Sequence, residues 1–182
     1  MPNATATRQG PYVAPSPLVR VLPPAARWVL RGDSTVMAAA ARTLGVPFVE
    51  RPCQAAAAAE SAALWLGPDE RLLIAPANTQ GELASRLHTA LSAQPHSLVE
   101  VSHRQVALEI AGQHAAVLLN SGCPLDLHVS AFPPGMCTRT MFAKTEIVLW
   151  RTAEQRFHIE VWRSFAAYLS KYLALAAGEL AE

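Results

Sequence analysis

With 182 residues, 51% of them hydrophobic, the chain carries enough apolar material to bury the core of one domain. Its 15 Lys and Arg against 14 Asp and Glu leave a net charge of +1, which excludes a basic nucleic-acid surface and an acidic tail. Three cysteines, odd in number and widely spaced, do not make a secreted disulfide framework. No run of about 18 apolar residues offers a membrane span, so a soluble, cytoplasmic globular protein is the expectation. Charged residues amount to only 16%, against roughly 25% in typical globular domains. That points either to a surface partly covered by a partner or to an alanine-rich composition without structural meaning.

Residues 1–16, MPNATATRQGPYVAPS, lack periodicity and are rich in Pro, Ala and Thr, which predicts a flexible N-terminal arm. They hold no apolar leader segment. LVRVL and RWVLRG then read as strands joined by a Pro23-Pro24 turn. Asp33 is placed to cap a helix that carries Val36, Ala40 and Leu44 on one face and stops at Gly45. RPCQAAAAAES reads as a loop or a short helix, and its composition does not decide between them. AALWLG, PDE and RLLIAP read as strand, tight turn and strand. In TQGELASRLHTAL, Thr79 and Glu82 stand at capping-box spacing, and Leu83, Leu87 and Leu91 form one stripe.

The order then recurs. LVEVSH and QVALEIAG read as strands, the second alternating Val106, Leu108 and Ile110 inward with Gln105, Ala107 and Glu109 outward. QHAAVLLNSG reads as a short helix. TRTMFAK, EIVLWR and RFHIEVW read as three strands, and SFAAYLSKYLALAAG as a last helix with Ser164 as cap and Gly178 as stop. Gly32 falls opposite Gly112, RLLI opposite FHIE, and Leu83 opposite Leu169. Such an internal duplication argues for an α+β fold of two ββ-α-βββ-α lobes, about 17–95 and 96–180, in one domain over 17–182.

Few side chains suggest chemistry. Cys123 and Cys137, with His128 between them and Cys53 far upstream, lack the two-to-four-residue spacing that pre-sets a tetrahedral zinc site. Cys123 follows a helix C-terminus, where the dipole disfavours a thiolate, and is expected to pack beside Leu125. Ser102 and His103 are adjacent in a predicted strand and point to opposite faces, which precludes a dyad. His158 alternates outward from Phe157 and Ile159 and reads as a solvated or interface residue. His88 and His114 read as single helix-surface residues. No glycine-rich nucleotide fingerprint appears. The four tryptophans, Trp28, Trp65, Trp150 and Trp162, all fall in predicted strands as packing anchors, with Trp162 out of phase and free to face a partner.

The segments LLNSGCPLDL, FPPGMCTRT and AKTEIVLWR resemble the gamma subunit of heterotetrameric sarcosine oxidases, a likeness that covers roughly residues 62–175. More distantly, LGPDERLLIAPANTQGEL and VALEIAGQHAAVLL are similar to the folate-binding, aminomethyltransferase-like fold of the glycine-cleavage T protein. That resemblance implies a duplication whose first strands are exchanged between lobes. It also exposes departures. Where the T protein carries paired aspartates, AAAES leaves Glu60. Where it has a glycine-containing loop and a pterin-holding acid, RTAEQRF leaves Glu154.

The resemblance therefore implies a non-catalytic structural chain with no catalytic, cofactor-binding or metal residues of its own. It would be the gamma partner of alpha, beta and delta subunits in a complex that oxidatively demethylates sarcosine. The one-carbon unit would pass to tetrahydrofolate, or leave as formaldehyde with hydrogen peroxide. FAD, FMN, NAD and tetrahydrofolate would sit on the other subunits. The alternative is a stand-alone folate-dependent one-carbon-transfer protein using Glu60 or Glu154. Arg139 is expected either in solvent or against a neighbouring subunit.

Overall fold

A computed structural model describes residues 18–180; the arm expected over residues 1–16 lies outside them. The first half runs β1 (Val19–Val21), β2 (Ala25–Arg31), α1 (Ser34–Leu44), β3 (Ala55–Ala58), β4 (Ser61–Gly67), β5 (Glu70–Pro76) and α2 (Gln80–Leu91). The second half repeats that order with β6 (Ser97–Glu100), β7 (Gln105–Ala111), α3 (Ala115–Asn120), β8 (Cys137–Phe142), β9 (Thr145–Ala153), β10 (Arg156–Trp162) and α4 (Arg163–Glu179). The strands form two five-stranded sheets, ordered β3-β4-β5-β2-β6 and β1-β7-β10-β9-β8. β1 therefore pairs with β7 of the second half, and β6 with β2 of the first. This is the duplication with exchanged first strands that the sequence likeness implies.

Period-2 alternation sorts each strand between two cores. Trp28 and Leu30 of β2 and Leu73 of β5 pack under Val36, Leu87 and Leu91 of α1 and α2. Leu108 and Ile110 of β7 and Phe157 and Ile159 of β10 pack under Leu118, Leu169 and Leu173 of α3 and α4. The alternate positions, Leu72 and Ile74 of β5 with Cys137 of β8 and Val148 of β9, fill a third cluster. The layers are helices, sheet, sheet, helices, so both faces of both sheets are covered. Each fully buried Leu or Phe in these layers contributes roughly 1.5–3 kcal/mol over leaving it in water.

Local signals hold where a side chain has one partner to find. Asp33 accepts from the Val36 N–H at 2.9 Å, and Gly45 ends α1 at a left-handed φ of 77°. Other details differ from expectation. The alanine run is neither loop nor helix but strand β3, paired with β4 through a turn in which Ala59 has φ 49°. Backbone pairing outweighs alanine's helix preference there. Thr79 makes no side-chain cap and instead donates to the Pro76 carbonyl at 2.8 Å.

Ser164 lies inside α4 rather than capping it, because β10 runs directly into the helix and the Arg163 N–H donates to the Arg104 carbonyl. Gly178 is likewise within α4, which runs on to Glu179. Strand β6 stops at Glu100, so Ser102 and His103 occupy a turn. Gln105 and Ala107, expected outward, are buried at 8% and 3% exposure because the other sheet covers that face.

Candidate functional site: a buried charge cluster between the sheets

β2 carries Arg27 between the helix-facing Ala26 and Trp28, so its side chain enters the space between the sheets. β10 likewise carries His158 and Glu160 in alternation with Phe157, Ile159 and Val161. The three meet there. Arg27 Nε donates to Glu160 Oε2 at 2.8 Å, and His158 Nε2 lies 2.8 Å from Glu160 Oε1. Arg27 Nη1 also donates to the Ala25 carbonyl at 2.8 Å. Side-chain exposure is 2% for Arg27, 0% for Glu160 and 13% for His158. The Trp150 ring lies against His158 with centroids 5.7 Å apart. The Arg27 N–H donates to Ser102 Oγ at 2.8 Å, fixing the turn after β6.

Desolvation at full burial pushes the Glu160 carboxyl up, but the hydrogen bond and charge of His158, then those of Arg27, outweigh it and hold it below the ordinary glutamate value. A carboxyl lowered on folding contributes stability that is present above its unfolded value of about 4.3 and lost as pH falls through the folded value. The stability gap between the wild type and Glu160→Gln should therefore narrow as pH drops from about 6 to about 3. Urea unfolding at stepped pH measures it; a gap independent of pH would mean that Glu160 is not ionised in the fold.

Both oxygens of Glu160 are engaged by partners from the chain itself, and the side chain is fully enclosed. The cleft beside it, bounded by Val29, Leu66, Gln105, Arg139 and Trp162, measures about 60 Å³. Sites for drug-sized ligands measure roughly 300–1,000 Å³, several times the volume of this cleft. Arg139, with its side chain 39% exposed, flanks one side and pairs with Glu70 at 2.6 Å across the sheets. Arg104 lies over the Trp162 ring at 4.7 Å.

The residues singled out by sequence are dispersed. Glu60 is exposed in the β3–β4 turn and Glu154 in the β9–β10 turn, so the two carboxylates belong to different sheets. Cys123 is buried beside Leu125 in the core under α3 and α4. Cys137 lies between the sheets with its thiol on the Trp65 carbonyl at 3.6 Å. His128 turns to Ser130 Oγ at 2.8 Å. Among the described residues, no three His, Cys, Asp or Glu side chains come together in a metal-binding arrangement. His158, expected in solvent or at an interface, is instead largely buried on Glu160. Arg27 and Glu160 escaped notice, although a charge embedded in AARWVL or HIEVW is the signal that marks them.

Residues 31–179 match the family described as sarcosine oxidase, gamma subunit family. The chain is 39% identical over 121 residues to the sarcosine oxidase subunit gamma of Corynebacterium sp. strain P-1, covering 66% of this chain and 59% of that protein. It thus spans about three-fifths of the length of the curated relatives it matches. A chain of the heterotetrameric sarcosine oxidase from Corynebacterium sp. U-96, solved in complex with pyrrole 2-carboxylate, superposes with a TM-score of 0.84 at 32% identity, covering 90% of this chain and 85% of that one. The glycine cleavage system aminomethyltransferase T of Bartonella henselae shares the fold at a TM-score of 0.66 and 15% identity, over 87% of this chain and 48% of that one. The family match runs from the end of β2 to the end of α4, taking in His158 and Glu160 but starting after Arg27, and the chain belongs to the sarcosine oxidase gamma subunit family.

Proposed function

We propose that this chain is the gamma subunit of a heterotetrameric, flavin-dependent sarcosine oxidase and has no active site of its own. The observation that carries this reading is the family match over residues 31–179, and within the chain the Glu160 carboxylate is engaged by Arg27 and His158 rather than left open. FAD, FMN, NAD and tetrahydrofolate, in this reading, are held by alpha and beta subunits, with a delta subunit completing the assembly. Residues 17–182 act as one two-lobed unit, and the complex is cytoplasmic. Among the described residues, no helix is long and apolar enough to cross a membrane. The surface supports docking: Trp162 at the end of β10 and Phe165, Tyr168 and Leu175 of α4 are large apolar side chains left exposed, a face that a larger chain would cover.

Calorimetric titration of the full chain with tetrahydrofolate separates this reading from the stand-alone one-carbon-transfer protein. No saturable heat is expected. Stoichiometric binding, lost in Glu60→Gln or Glu154→Gln, would establish the alternative.

A further inference from the structure

Cys53 and Cys137 stand opposite each other where the edges of the two sheets meet. An isolated antiparallel bridge pairs Gln54 with Met136, joining the residue before β3 to the residue before β8. In antiparallel register the flanking residues also face each other. The Cys137 N–H donates to the Cys53 carbonyl at 2.9 Å, and the Ala55 N–H to the Gly135 carbonyl at 2.8 Å. The Cys137-to-Cys53 bond is one of the two that a hydrogen-bonded antiparallel pair exchanges; such partners have Cα atoms about 5.5 Å apart, inside the roughly 4.4–6.8 Å that a disulfide spans. Cys53 is held at a left-handed φ of 58°, a conformation that a non-glycine residue keeps only where its surroundings impose it. Both thiols are free, Cys53 partly exposed and Cys137 buried.

We propose that Cys53 and Cys137 are a redox pair that closes to a disulfide under hydroperoxide, stapling the first sheet to the second. The inference is independent of the subunit reading. The Cys53 thiolate attacks the peroxide, forming an S–O bond as the O–O bond breaks, and the alkoxide or hydroxide leaves as alcohol or water. The Cys137 sulfur then attacks the sulfenic sulfur. The S–S bond forms, the S–O bond breaks, and hydroxide departs as water with the Cys137 proton. Two thiols supply the two electrons that reduce one hydroperoxide.

Cys53 is the initiating sulfur because it alone of the two meets solvent. Burial, the largest influence, pushes the Cys137 thiol up to about 12. Closure is therefore slow near neutrality and accelerates with pH.

The test is to treat the full chain with hydrogen peroxide, alkylate the remaining thiols under denaturant, and digest it without reduction. Mass spectrometry is expected to find one linked pair of peptides carrying Cys53 and Cys137, absent in Cys53→Ser and retained in Cys123→Ser. The oxidised chain should melt about 5 °C or more above the reduced one. Cys53 over-oxidised or joined to Cys53 of a second molecule, with Cys137 still alkylatable, would overturn the proposal.

Discussion

Arg27→Met is expected to destabilise the chain by about 3–5 kcal/mol, lowering its melting temperature by roughly 10 °C. The loss comes less from the ion pair than from what remains. Removing the guanidinium strips Glu160 Oε2 of its 2.8 Å donor while the carboxylate stays fully enclosed. His158 then offers the only charge-compensating contact described for it. The double variant Arg27→Met, Glu160→Leu removes both charges and fills the space with apolar atoms, so it should be more stable than Arg27→Met alone. Denaturant unfolding of wild type, both singles and the double gives the coupling directly. Additive losses would mean that the two side chains do not interact in the fold.

The second large effect is expected at Arg151, which organises the loop between α3 and β8. Its Nη1 donates to the carbonyls of Leu127 at 3.0 Å and Phe132 at 2.8 Å. Its Nε and Nη2 both reach the Glu154 carbonyl, and the guanidinium lies over Phe157 at 4.8 Å. Arg151→Met leaves those carbonyls without their charged donor, at a cost of about 3 kcal/mol. Arg151→Lys keeps the charge but not the planar fork, and should recover less than half of that loss. Hydrogen exchange provides the local readout: amides over 121–136 should lose protection in Arg151→Met before the amides of β2 and β5 do.

That loop forms the middle of the cysteine- and proline-rich stretch from Leu118 to Thr140, which is held by contacts within the chain. Asn120 Nδ2 donates to the carbonyls of Cys123 and Leu125, and Tyr172 donates to the Ser121 carbonyl at 2.7 Å. Gly122 sits where a Cβ would lie 2.8 Å from the Phe142 ring, so the chain passes closer to the core there than any other residue type allows. The stretch frames the start of β8.

Helix α1 with its Asp33 cap and Gly45 stop, and the β4–β5 hairpin, were legible because each depends on residues a few positions apart. The duplication was legible because the same order of elements recurs. β3 was not, since an alanine run carries no period, and its strand state is imposed by β4 and by the Gly135 carbonyl. The alternation of β7 and β10 placed Gln105, Ala107 and His158 on the correct face. It gave no sign that a second sheet lies over that face, because cross-sheet contacts such as Arg27 to Glu160 span 133 positions. Thr79 failed as a cap for a local reason: it ends a 3-10 turn over Ala77–Thr79 with helical backbone angles rather than the extended ones of a cap.

The subunit reading is tested most directly by the native mass of the tagged full chain, expressed with and without the genes that neighbour its own. The account predicts a yellow, flavin-containing complex of four different chains. A stable, colourless monomer that recruits none of them would contradict it.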